Sequence, residues 1–145
     1  WEKAESELRE LLRLNGSHSM GLVHLGTCMI AMEKSEQAEK PLNKAIETNP
    51  SLSEAWYQRG LLYLDFGRSD EAMSDFEDAV RADPQHLDAR LRIAAILHEG
   101  KDTEKAAGAW RKVLDVDSQN RLARRRLEEC RAQITSRREA LLPKD

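Results

Sequence analysis

Apolar and small side chains fall on helical stripes. Trp56, Gly60 and Tyr63 stand at i, i+4 and i+7, and Ala72, Phe76 and Ala79 do the same, so each trio lines one face of a helix. The stripes recur every 34 residues. Ala4, Ala38, Ala72 and Ala106 share one register; Leu8, Leu42, Phe76 and Trp110 a second; Leu11, Ala45, Ala79 and Val113 a third; Gly26, Gly60 and Ala94 a fourth. Pro50 and Pro84 close units at the same interval, with Gly16 and Ser118 at corresponding turns. Small, large and turn-forming residues in fixed order predict a helical repeat protein. Within the middle unit, helix A packs on helix B, and Gly60 admits a close approach. Gly67 supplies a left-handed residue between them, Ser69 and Asp70 are N-cap candidates, and Pro84 ends the second helix. Gly100, Asp102 and Thr103 repeat that chemistry. The first unit has Glu33, Lys34 and Ser35 instead, so its turn is expected to be looser.

Trp56, Gly60, Tyr63, Gly67, Ala72, Phe76, Ala79 and Pro84 stand at the spacings of a tetratricopeptide repeat, and the chain resembles that family. The resemblance implies an all-α fold, a right-handed α-solenoid of helix-turn-helix repeats. It divides the chain into helix B of a truncated preceding repeat (1–18), repeats at 19–52, 53–86 and 87–120, a C-terminal capping helix (121–138) and a tail (139–145). In the last helix Arg124, Glu128 and Arg131 replace the residues that receive a further helix, as a solvating cap requires. Leu122, Leu127, Cys130 and Ile134 are expected to face the preceding helix. Ser136 and Glu139 have capping-box spacing, so a short further helix up to Pro143 is one expectation and a frayed tail the other.

Composition changes this picture little. A hydrophobic content of 40% is enough for a core, and 5% aromatics suits helices better than sheets. No apolar run has the length of a membrane span, and no basic-then-apolar segment opens the chain. The chain opens in mid-repeat on Trp1, so it is expected to be a piece of a longer protein, cytoplasmic in setting. Cys28 and Cys130 hold the same repeat position three periods apart, too far to bridge. Both are expected to be buried free thiols, which fits a reducing compartment. Residues 1–120 carry 15 Lys and Arg against 22 Asp and Glu, a net −7, whereas 121–145 carry a net +4. The cluster Arg121, Arg124, Arg125 and Arg126 reads as a solvated cap. Nucleic acid is not an expected partner, because the rest of the chain is acidic and no aromatic residue is interleaved with the arginines.

The family's usual binding surface is the concave groove formed by its A helices. Here the corresponding stripe carries Met20, Val23, Thr27 and Ile30, then Glu54, Tyr57, Leu61 and Leu64, then Asp88, Leu91, Ala95 and His98. A neighbouring ridge carries His24, Gln58, Arg92 and Arg126, joined by Arg125. The predicted binding residues are therefore Tyr57, Gln58, Leu61, Leu64, Leu91, Arg92, His98, Arg125 and Arg126, suited to a protein or peptide with apolar anchors followed by acidic residues. The competing expectation is that these apolar side chains fill seams between helices. The Lys and Asn set that grips chaperone C-terminal tails in one subclass is missing: Val23, Thr27, Gln58 and Asp88 stand there and only Arg92 agrees, so such tails are not expected partners. The asparagine ladder of a nucleocytoplasmic glycosyltransferase is also missing. No catalytic residue, cofactor site or metal site is expected, since His18, His24, His86 and His98 lack ligand partners at metal spacing. Two alternatives stand beside peptide capture: a scaffold or self-association module using helix B surfaces, and the substrate-recruiting region of an enzyme whose catalytic part is absent. Oligomeric state is left open.

Overall fold

The computed structural model describes residues 1–141, and every regular element among them is a helix: α1 (Glu2–Leu14), α2 (Ser19–Ala31), α3 (Ser35–Thr48), α4 (Ser53–Asp65), α5 (Ser69–Ala82), α6 (Leu87–Glu99), α7 (Thr103–Val116) and α8 (Arg121–Ala140). The expected all-α fold of helix-turn-helix repeats is the fold observed. The helices gather into two compact units, Trp1–His86 with α1 to α5 and Leu87 onward with α6 to α8.

In the first unit, Leu22, Leu25, Met29, Leu42, Ile46 and Leu62 are buried in one cluster, with Leu8, Leu12 and Trp56 packed against it. Each such side chain removed from water contributes about 1.5–3 kcal/mol. Two glycines set how closely the hairpins pack. A Cβ on Gly60 would stand 2.7 Å from the Phe76 ring, and one on Gly26 would stand 2.7 Å from Leu42 Cγ. Phe76 and Leu42 are fully buried, so neither can yield cheaply. The second unit is built around Trp110, Val113, Ala94, Ala106, Leu127 and Cys130.

The turns correct three expectations. The left-handed residues are Glu33, Gly67 and Lys101 (φ 59°, 71° and 60°), themselves 34 residues apart, so the glycine beside the third turn, Gly100, is not the residue that takes this conformation. The first turn is not loosened by its missing glycine. The Lys34 N–H donates to the Met29 carbonyl at 2.8 Å, matching the 2.8 Å bond from Arg68 N–H to the Tyr63 carbonyl; these are the long-range bonds of a Schellman closure. Ser69 is the first residue of α5 rather than its cap, and the Arg68 side chain in the cap position makes no capping bond. Asp102 does cap α7, accepting from Lys105 N–H at 3.2 Å.

At the C-terminus α8 runs unbroken to Ala140, so no separate helix begins at Ser136. The expectation for residues 142–145, including Pro143, lies outside the described residues. Leu122 is 44% exposed and does not face the core; Ala123 is buried beside it. Arg124, Glu128 and Arg131 are all exposed, as a solvating surface requires.

Candidate functional site

The predicted binding residues fall on α4 in the first unit and on α6 and α8 in the second. On α4, Ala55, Gly60, Leu62 and Tyr63 are buried. This leaves Tyr57, Gln58, Leu61 and Leu64 half-buried on another side of the helix. Tyr57 is held in place rather than free. Its ring centroid lies 5.7 Å from that of Phe76 and 4.9 Å from that of His86. Gln58 donates to Glu54 at 2.7 Å. On α2, Val23 is 1% exposed, and Thr27 donates its hydroxyl to the Val23 carbonyl. Met20 and Ile30 pack against the core. Seam filling therefore accounts for the α2 stripe and for part of Tyr57, while Leu61 and Leu64 keep partly open surface.

In the second unit, Leu91 packs against the core and Arg92 is exposed, making no ion pair among the described residues. His98 is half-buried and turned toward α8. Arg126 Nη1 lies 3.4 Å from His98 Nε2, and Cys130 Sγ lies 3.7 Å from His98 Nδ1. A guanidinium only donates, so a hydrogen bond here has Nε2 accepting, which puts the ring proton on Nδ1, on the side of the sulfur. Burial pushes the Cys130 thiol up from its ordinary value, consistent with an unreactive SH group. Arg126 also donates to Glu129 at 2.9 Å, and Arg125 lies 3.5 Å from the same carboxylate. Arg124 donates to the carbonyl of Ser118, in the turn before its helix. Arg124, Arg125 and Arg126 are thus engaged within their own unit, and Arg92 is the cation of the predicted set without an ion pair among the described residues.

The largest polar feature lies elsewhere and went unread in the sequence. Arg59 on α4 makes two bonds to Asp75 on α5, at 2.8 and 2.7 Å, and a third to Asn43 on α3 at 2.8 Å. Its guanidinium lies over Trp56 and Tyr63, 5.1 and 5.5 Å from the ring centroids. Tyr63 donates to Glu39, and the Arg68 guanidinium also lies over the Tyr63 ring, 4.1 Å from its centroid. Burial pushes the Asp75 carboxyl above its ordinary value, outweighing the opposing pull of the Arg59 fork, whose two short parallel bonds favour the ionised pair. The signal was in the register. Positions equivalent to Arg59 hold Leu25 and Ile93, and those equivalent to Asp75 hold Pro41 and Ala109, so a charge pair stands where the other repeats are apolar.

One further surface has the shape of a site. An apolar groove of about 470 Å³ runs along α1 and α2, lined by Trp1, Ala4, Leu8, Leu11, His24 and Cys28 among others; Trp1 is 72% exposed. Cys28 and Cys130 are both buried and free. Among the described residues no group of three His, Cys, Asp or Glu could hold a metal ion, and no helix is long and apolar enough to cross a membrane.

A family model described as tetratricopeptide repeat matches residues 30–86 and 57–120. No curated protein matches the chain significantly. Among solved structures, the chain is similar to YrrB, described as a TPR protein with an unusual peptide-binding site, at 21% identity and TM-score 0.78, covering 92% of this chain and 69% of that one. It is similar to the MamA protein at 17% identity and TM-score 0.77, covering 94% and 75%. It is also similar to the first TPR of Spaghetti (RPAP3), bound to the HSP90 peptide SRMEEVD, at 20% identity and TM-score 0.69, covering 81% and 95%. At these identities the likeness shows the fold.

Proposed function

Because the chain belongs to the tetratricopeptide repeat family, we propose that it is a protein-interaction module that holds a partner peptide or segment on the exposed sides of its A helices. The observation that carries this reading is the contrast within α4: its packing stripe is buried, whereas Leu61 and Leu64 stay partly open beside a fixed Tyr57 ring. A rigid aromatic flanked by partly exposed leucines is the kind of surface on which interface energy concentrates. In the second unit Arg92 is exposed and without an ion pair among the described residues, and it offers a contact for a carboxylate. Gln58 in the first unit, and Leu91, His98, Arg125 and Arg126 in the second, serve as supports rather than as contacts, because each is already engaged within its own unit.

Capture of partners from lysate by the wild-type chain and by Leu61→Ser/Leu64→Ser/Arg92→Glu, compared by mass spectrometry, tests this reading. Loss of a specific partner at unchanged helical content is the expected result. An unchanged set of captured proteins would remove the A-helix face from consideration. A second reading has its own observation, the exposed apolar side of α1 with Trp1, Leu11 and Leu14, which favours assembly through a helix B surface. Trp1→Ser/Leu14→Ser would then abolish self-association in sedimentation.

A further inference from the structure

A second cavity lies wholly within the second unit, with a volume of about 310 Å³, between the α6–α7 turn and the C-terminal half of α8. Its polar lining is almost entirely donors. Lys101 and Arg137 both border it and neither makes an ion pair among the described residues. Gln133 also lines it, and its amide oxygen accepts the Thr103 hydroxyl at 3.4 Å, which leaves the amide N–H₂ to donate. Thr103 is 7% exposed, which shelters the hydroxyl end of this bond, while Gln133 is exposed. His98 presents no free nitrogen, since both are committed to Arg126 and Cys130. Among the described residues no carboxylate lines the cavity, and the neighbouring Asp102 is occupied with Lys105 at 2.9 Å.

We propose that this cavity binds the phosphate monoester of a phosphorylated partner peptide. Two cations that make no ion pair among the described residues and an amide donor suit a doubly charged oxyanion, whose charge matches both; a single carboxylate leaves one cation uncompensated. The volume stands at the low end of ligand pockets, enough for one modified side chain. Ala106 and the Cys130 sulfur give the cavity an apolar floor, and water shed from that floor strengthens the charge-assisted bonds above it. The proposal rests on the interaction reading above and supplies it with a chemical class of partner.

The test uses the full chain and three blocked pentapeptides, acetyl-Ala-Ala-X-Ala-Ala-amide with X as phosphoserine, serine or glutamate, titrated by calorimetry and by amide NMR. Phosphoserine is expected to bind at least about tenfold tighter than either other peptide, with a shift of the Gln133 side-chain amide resonances and a steep loss of affinity with salt. Lys101→Gly/Arg137→Gln is expected to abolish the preference. Lys101 has a positive φ that glycine adopts freely, and Arg137 is exposed, so this variant keeps its fold. Equal binding of the three peptides, or a preference that survives Lys101→Gly/Arg137→Gln, overturns the proposal. The Leu61→Ser/Leu64→Ser/Arg92→Glu variant separates the two readings: it is expected to keep the phosphoserine preference, and loss there with retention in Lys101→Gly/Arg137→Gln assigns the peptide to the A-helix face instead.

Discussion

The Arg59–Asp75 pair offers a quantitative test that the repeats themselves suggest. Arg59→Ile/Asp75→Ala recreates in the middle repeat the pair that Ile93 and Ala109 form in the third. Asp75 is 3% exposed, so Arg59→Ile alone strands a buried carboxylate and removes its two bonds at 2.8 and 2.7 Å. Breaking a buried pair in this way costs about 3–5 kcal/mol. Asp75→Ala alone costs less, because the Arg59 side chain keeps 18% exposure and its contacts with Trp56 and Asn43. The double variant is expected within about 1 kcal/mol of wild type, since apolar replacement of a buried pair is often neutral or better. Urea unfolding followed by far-UV circular dichroism measures all four proteins. Hydrogen exchange at α5 amides assigns the loss to the first unit, which matters because repeats need not unfold together. An Arg59→Ile cost below about 1 kcal/mol, or a double variant at the sum of the singles, would refute the claim that the pair is a coupled buried charge.

Gly60→Val presses a branched side chain into the Phe76 ring and is expected to destabilise by about 1–3 kcal/mol, read as a fall in thermal midpoint. Lys101→Gly is expected to raise that midpoint or leave it unchanged, by removing a side chain from a left-handed position at φ 60° that costs about 1 kcal/mol or more for most residues. A clear drop would show that Lys101 makes a stabilising contact. Glu5, Glu71 and Asp102 are held below their ordinary values by hydrogen bonds from Arg9, Arg68 and Lys105. Their stabilisation is therefore complete above the ordinary carboxylate range and is lost as pH falls through the lowered folded values. The urea midpoint should decline on that acid side, less steeply in high salt for the shares of Glu71 and Asp102, whose side chains are 50% and 40% exposed, than for that of Glu5, at 12%.

The fold was legible because packing has a period. Ala38, Ala72 and Ala106 are fully buried, as are Leu42 and Phe76, and each follows from its place in the 34-residue register. What period alone could not supply was the partner of each polar side chain. His98 looked like a groove residue by its position, yet it is turned to Cys130 and Arg126, which lie 32 and 28 residues away. Arg126 looked free until Glu129, one turn along the same helix, was placed against it. The left-handed turn residues were legible at Gly67 and misread at Gly100, because a glycine beside the required position drew attention from the periodic one, Lys101. The Arg59–Asp75 pair was written in the register as a departure from it, and only a comparison of equivalent positions reveals that.

The central claim is that the A-helix surfaces carry the partner. Hydrogen exchange of the chain alone and with its captured partner tests it most directly, since bound surface slows exchange in the helices beneath it. Slower exchange in α4 and α6, whether or not it extends to the cavity beside α8, is the predicted result. Protection that leaves α4 and α6 unchanged and falls on α3, α5 or α7 would contradict the account and place the interface on the helix B side.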